Sequence, residues 1–181
     1  LQQMAGRARV THLPDPIEFQ PVPPQRVAAL RQQLGVESGR QIALLFGFLE
    51  ERKGLYPLLE ALSLLPHAIQ SRVCLLLIGQ VAPKDVEKLA RSLDELTRHT
   101  ALQIILHDAF TPEAEVPIYF QMVDFVLAPY QGHIGSSGIL LWAAAAGKPV
   151  LAPTYGLMGE LVRRHQLGLA VDTTQPQALA Q

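Results

Sequence analysis

Apolar segments that lack polar alternation, separated by helix-like segments, constrain the fold of this chain more than any other feature. A strand that is apolar at nearly every position is typical of a sheet buried on both faces. Helices are predicted over residues 24–34, 55–64, 83–99, 112–123 and 158–165. A further apolar helix is predicted to follow the turn at residues 135–138 and to end at Gly147. Strands alternating with helices indicate an α/β fold with a doubly wound, Rossmann-like, mainly parallel sheet of about six strands. The predicted strands are "QIALLFGF", "RVCLLLIG", "LQIILHDAF", "DFVLAPY", "PVLAP" and "LGLAVD".

Composition narrows the class of protein. The 181 residues suffice for one full domain, and 49% of them are hydrophobic, which fits a well-packed core. A net charge of −1 argues against a dedicated nucleic-acid surface. The single cysteine, Cys74, excludes an internal disulfide framework, and no apolar segment approaches membrane-spanning length. The expected location is the cytoplasm, with peripheral membrane contact through a further domain as the alternative.

The chain divides into two parts. Residues 1–23 are rich in proline and are predicted to form a short strand over residues 9–13 followed by an interdomain linker. Residues 24–181 form the predicted domain. The chain stops in "PQALAQ", which resembles the start of an unfinished helix, so we expect it to be a fragment of a longer protein.

Three loops that follow strands carry the candidate site. In a parallel sheet, ligands bind at the carboxyl ends of the strands, beside helix N-termini. Lys53 and the backbone amides of residues 136–138 could together hold a diphosphate. The competing interpretation is that Lys53 is a solvated loop residue and that the glycines only form a tight turn. The three loops are "GFLEERKG", "GQVAPKD" and "YQGHIGSSG".

The order of these segments is similar to that of the C-terminal nucleotide-sugar-binding domain of family 4 (group 1) glycosyltransferases, which have the GT-B fold. The resemblance implies a retaining transfer of a sugar from a nucleotide-diphosphate donor. It also implies an N-terminal acceptor-binding domain that this sequence lacks, so the isolated domain is expected to be inactive. The resemblance rests on "GFLEERKGLYPLLEAL", "LLLIGQ", "VDFVLAPY", "AAAAGKPVLAP" and "GLMGELVRRHQLGLAVDTTQPQALA".

The resemblance assigns site residues, with Lys53 as the catalytic cation that stabilises the departing diphosphate. The family's arginine after the first-loop glycine is Phe48 here, and Arg52 is the candidate substitute. Glu160 matches a family glutamate near the donor site. The predicted substrate-binding residues are Gly47, Arg52, Lys53, His133, Gly135, Ser136, Ser137, Gly138 and Glu160.

Two family glutamates, which contact the donor sugar and the ribose, are missing. Ile134 and Trp142 occupy their positions, and neither side chain offers a carboxylate. His133 and Gln131 are the nearest polar substitutes for the first glutamate. Trp142 has no polar neighbour to replace the second, so core packing is its favoured role.

Two functions from different classes therefore remain open, with a third, weaker alternative. The first is an active glycosyltransferase with rearranged donor contacts. The second is a non-catalytic nucleotide-binding or interaction module derived from one. An epimerase on the same scaffold is weaker, because no paired acids are present to exchange a proton. The six histidines show no metal-ligand spacing, and we expect neither a metal nor a cofactor.

Overall fold

The computed structural model describes residues 17–181, so the strand predicted over residues 9–13 lies outside the described part of the chain. The described residues contain a six-stranded sheet in which every pair of neighbouring strands is parallel. The predicted doubly wound, Rossmann-like fold is confirmed. The strands are β1 (Gln41–Phe46), β2 (Val73–Ile78), β3 (Gln103–His107), β4 (Phe125–Leu127), β5 (Val150–Pro153) and β6 (Gly168–Val171).

The strand order in the sheet is β3-β2-β1-β4-β5-β6. Strands β2 and β3 lie on one side of β1, and strands β4, β5 and β6 lie on its other side. The winding direction therefore reverses at the boundary between β1 and β4. Such a reversal opens a crevice at the carboxyl ends of the two central strands, where ligands of open α/β sheets bind. The helices are α1 (Pro24–Gln33), α2 (Leu55–Ser63), α3 (His67–Gln70), α4 (Val86–His99), α5 (Val116–Met122), α6 (Gly138–Ala145), α7 (Gly156–Arg164) and α8 (Pro176–Leu179).

Two hydrophobic layers cover the two faces of the sheet. Successive strand residues point to opposite faces, so Ile42 and Leu44 enter one layer while Ala43 and Leu45 enter the other. The first layer includes buried residues of α5, α6 and α7, and the second includes those of α2 and α4. Strands buried on both faces explain why β1 and β2 lack polar alternation.

The prediction of two buried faces is wrong for the two edge strands. Leu106 on β3 and Leu169 on β6 are exposed, because each edge strand has a neighbour on one side only. Boundaries also differ: α7 begins at Gly156, two residues before the predicted start, and β4 spans only three residues of "DFVLAPY". The four-residue α3 is too short to produce a helical pattern in the sequence.

Arg40 holds together the amino-terminal edge of the sheet. Its Nη1 donates to the carbonyl oxygens of Gln70, Val73 and Ala101 at 2.9–3.1 Å. Its Nε donates to the Glu37 carboxylate at 2.6 Å. These acceptors precede or begin three neighbouring strands, so one guanidinium fixes the positions where β1, β2 and β3 begin.

Candidate functional site

The site lies where the loops after β1 and β4 meet. The Gln131 amide donates to the Arg52 carbonyl oxygen at 2.8 Å, which joins the two loops. Gly54 has a φ of +74°, and a Cβ at this position would lie 1.9 Å from the Pro129 carbonyl oxygen. The loops can approach this closely only because residue 54 has no side chain. The crevice predicted by the strand order is therefore closed at its base by two backbones in contact.

Lys53 is buried in this crevice, with only 8% of its surface exposed. Its ammonium donates to the Tyr130 hydroxyl and, over 3.4 Å, to the Phe46 carbonyl oxygen, and it lies 4.4 Å from the centroid of the Tyr130 ring. Among residues 17–181, no carboxylate lies within 4.0 Å of it. Buried lysines are normally paired with an acid. Because so little of Lys53 is exposed, the alternative that it is a solvated loop lysine is wrong.

The glycine-serine turn ends at the N-terminus of α6. Ser137 is the residue before the helix, and its hydroxyl accepts from the Ile139 amide at 3.5 Å. Within the described part of the chain, the amides of residues 135–138 donate no hydrogen bond to another residue. Unpaired amides at a helix N-terminus attract an anion. The turn therefore keeps the donors that a phosphate group requires.

His133 is hydrogen-bonded to the backbone of this turn. One of its ring nitrogens, Nε2, is hydrogen-bonded to the Ser136 carbonyl oxygen at 2.9 Å. Its ring packs edge-on against Tyr130, with the ring centroids 5.4 Å apart. Only Nδ1 is left for a ligand, so His133 is a weaker substitute for the missing carboxylate than its position in the sequence indicates.

Tyr130 connects the lysine to the turn, although it is not among the site residues predicted from the sequence. Besides accepting from Lys53, its hydroxyl is hydrogen-bonded to the Ser137 hydroxyl at 3.1 Å. Its carbonyl oxygen accepts from Tyr155 at 2.7 Å and from Thr173 at 3.1 Å. A polar aromatic residue just beyond an apolar strand was the available signal, but it was assigned to the strand.

The remaining predicted residues lie around this centre. Arg52 is half-exposed and paired with Glu50 at 2.8 Å, and its guanidinium carbon lies 5.9 Å from the Tyr130 ring centroid. Glu160 is exposed in the second turn of α7. Its position in the sequence predicted a helix N-terminal acid, but α7 begins four residues earlier, which weakens the effect of the helix dipole.

Ile134 and Trp142, which occupy the positions of the two family glutamates, have different surroundings. Ile134 is 80% exposed. Trp142 is half-buried and packs against Phe120 and Phe19, with ring centroids 6.2 Å away in each case. The core-packing interpretation of Trp142 is confirmed, and its side chain takes no polar role at the crevice.

A hollow of about 290 Å³ opens beside Gly47, at the carboxyl ends of β1, β2 and β3. Phe48, which occupies the position of the family arginine, lines it together with Phe110, and these side chains are 48% and 73% exposed. Gly47 separates the hollow from the lysine, since a Cβ at this glycine would lie 3.2 Å from Lys53 Nζ. An apolar hollow thus adjoins the cationic centre.

Across residues 17–181, no group of three or more histidine, cysteine, aspartate or glutamate side chains could hold a metal ion. In the same part of the chain, no helix has both the length and the apolar character needed to cross a membrane.

Comparison with known proteins identifies the class of fold. HepE of Anabaena, in a crystal structure with UDP-glucose, is 25% identical with a TM-score of 0.71, over 88% of this chain and 42% of HepE. The C-terminal domain of the group 1 glycosyltransferase LpcC of Francisella tularensis is 20% identical with a TM-score of 0.72, over 90% of this chain and 80% of that domain. A glycosyltransferase of Rickettsia africae is 20% identical with a TM-score of 0.69, over 88% and 40%. The fold is therefore that of a GT-B glycosyltransferase domain.

The family follows from the sequence match. Residues 40–181 match the family described as "Glycosyl transferases group 1". This chain belongs to that family, as the order of its motifs predicts. No curated protein matches the chain. The chain spans about two fifths of the length of HepE, at 42%.

Proposed function

We propose that this chain is the donor-binding domain of a glycosyltransferase that transfers a sugar from a nucleotide-diphosphate sugar with retention of configuration. One observation carries the proposal. A buried lysine lies at the crevice between β1 and β4, one tyrosine away from the glycine-serine turn, and among residues 17–181 neither the lysine has a carboxylate partner nor the turn amides an acceptor. A buried cation and unpaired amides together favour a ligand with more than one negative charge.

In the proposed complex, the diphosphate lies on the turn formed by Gly135, Ser136, Ser137 and Gly138, and Lys53 opposes its charge. When the bond between the sugar and the diphosphate breaks, negative charge grows on the departing phosphate oxygen. A preorganised cation and amides stabilise that charge more than they stabilise the intact donor. Lys53 is thus the proposed catalytic residue. Arg52, whose guanidinium carbon lies 5.9 Å from the Tyr130 ring centroid, is the proposed second cation.

The hollow beside Gly47 is the proposed site of the nucleobase. Phe48 and Phe110 offer two exposed aromatic rings on its walls, and a planar base could pack against either. The position is compatible with a single extended ligand, because Gly47 adjoins both the hollow and the Lys53 ammonium. The proposed partners are the donor and an N-terminal domain that binds the acceptor.

Calorimetric titration of the full chain with UDP, GDP and ADP tests the proposal. We expect one of them to bind, and we expect Lys53→Ala to weaken that binding by about 1.5–3 kcal/mol, which is roughly ten- to hundredfold. Lys88→Ala is the matched control, since Lys88 is an exposed lysine that lies over the Tyr56 ring. Equal binding by the wild type and Lys53→Ala would remove the assignment.

A second function, a non-catalytic nucleotide-binding module, is favoured by one observation: Ile134 and Trp142 leave the sugar and ribose without carboxylates. Incubation of the protein joined to its acceptor domain with UDP-, GDP- and ADP-glucose distinguishes the two. Release of nucleoside diphosphate that Lys53→Ala abolishes supports the transferase. Nucleotide binding without release from any donor tested supports the module.

A further inference from the structure

Tyr130 has a hydroxyl buried between the two polar groups assigned to the diphosphate. The residue is only 2% exposed, so its hydroxyl acts on a ligand through its neighbours. Those neighbours are the Lys53 ammonium and the Ser137 hydroxyl. No other described residue is hydrogen-bonded to the Tyr130 hydroxyl.

The chemistry of the three groups fixes the direction of one hydrogen bond, and burial assigns the direction of the other. An ammonium has donors only, so the Tyr130 oxygen must accept from Lys53. Either hydroxyl could donate in the 3.1 Å contact between Tyr130 and Ser137. The buried phenolic hydrogen has no other acceptor among the described residues, so we assign it to Ser137 Oγ. Ser137 Oγ also accepts from the Ile139 amide at 3.5 Å, so both of its acceptor positions are used. The Ser137 hydrogen is therefore left for a group outside this network.

The tyrosine is itself held by residues that follow β5 and β6, the neighbouring strands in its own half of the sheet. Tyr155, which precedes α7, and Thr173, which follows β6, both donate to its carbonyl oxygen. The Tyr155 hydroxyl also accepts from the Gly132 amide at 2.7 Å, which places the start of the turn. A side chain fixed at its backbone can orient its neighbours without moving when a ligand arrives.

We propose that Tyr130 is a positioning residue that directs the Lys53 ammonium and the Ser137 hydroxyl hydrogen toward the same phosphate group. This inference rests on the proposed function. It goes beyond it because it assigns the orientation of both donors to a single phenol, which couples their contributions to binding. Removal of the hydroxyl alone should then weaken both contacts, although the aromatic ring, its contact with His133 and the lysine remain in place.

The experiment is a double-mutant cycle with Tyr130→Phe and Lys53→Ala, measured by calorimetry with UDP, GDP and ADP. We expect Tyr130→Phe to weaken binding about three- to tenfold. In the Tyr130→Phe background, Lys53→Ala should cost at least threefold less than it costs in the wild type. Tyr56→Phe is the matched control, because its hydroxyl donates to Asp85 at 3.1 Å and contacts no part of the turn. This control should leave binding unchanged.

The outcomes separate the two proposals. If Lys53→Ala weakens binding and Tyr130→Phe does not, the positioning role is overturned and the diphosphate site stands. If the two substitutions multiply independently, Tyr130 only supports the fold, and the positioning role is again overturned. If no nucleotide binds the wild type, both proposals fail. Melting temperatures of all variants are measured in parallel, so a loss of folding is recognised by its effect on Tm.

Discussion

Two cations lie at opposite ends of strand β1, and their partners differ. Arg40, at the amino end, has a carboxylate and three carbonyl oxygens as acceptors, all within 3.1 Å. Lys53, after the carboxyl end, has a tyrosine hydroxyl and one carbonyl oxygen at 3.4 Å. The first cation is satisfied by the protein itself, whereas the second retains a donor and an uncompensated charge. The comparison teaches that the acceptors around a buried cation, rather than its burial, distinguish a structural role from a binding role.

The largest expected effect is on the stability of the fold, at Arg40, the cation whose acceptors the protein supplies. Arg40→Met should lower the free energy of unfolding by about 3 kcal/mol, because three partly buried carbonyl oxygens lose their donor. Nucleotide binding should persist, since the crevice lies at the other end of the sheet. Urea unfolding measures the stability, and Arg91→Met, at an exposed arginine on α4, is the control. A stability change within about 0.5 kcal/mol would contradict the structural role.

At Lys53 we expect the opposite pattern, with a small change in stability and a large loss of nucleotide binding. Lys53→Met should change the free energy of unfolding by less than about 1 kcal/mol, because it removes a charge that lacks an acidic partner. The same substitution should weaken nucleotide binding at least tenfold. Urea unfolding and calorimetry on one preparation check both statements. A loss of stability as large as that of Arg40→Met would remove the distinction between the two cations.

A smaller effect should appear with pH at Cys74, on β2 near the amino edge. Burial raises the pKa of its thiol from 9.0 to about 11, while the positive charges of Arg40 and Arg31 act in the opposite direction. Because the folded state holds this proton more tightly, its contribution to stability is complete below pH 9 and declines as the pH rises toward 11. The expected loss is about 1.4 kcal/mol by pH 10.

Cys74→Ala checks this prediction. Unfolding by urea is followed from pH 8 to pH 10. Burial and the hydrogen bond to Asp85 raise the pKa of Tyr56 from 10.0 to about 12, but this phenol is present in both proteins, so its contribution cancels in their difference. The stability difference between wild type and Cys74→Ala should shift by the expected amount across this range. An unchanged difference would mean that the thiol is not buried as described.

The sequence predicted the strands because each one is an apolar run bounded by glycine, proline or charge. It predicted Lys53 and the glycine-serine turn because both follow strands in chain order. It could not predict the contact of Tyr130 with Lys53, because the two positions are 77 residues apart in the chain. The exposure of β3 and β6 likewise depends on the order of strands in the sheet, which the local pattern does not encode. Arg40 was missed for the same reason, since its acceptors come from three separate segments.

The contacts that join β1 to β4, and the loop after β1 to the loop after β4, have a consequence for folding kinetics. The Ile42 amide donates to the Asp124 carboxylate across 82 residues of chain, and the contact between Lys53 and Tyr130 is almost as remote. Pairing between distant segments is slow, because loop closure must precede the favourable contacts. The crevice can form only after the two halves of the sheet have joined. Recovery of nucleotide binding during refolding should therefore lag behind the recovery of helical circular dichroism.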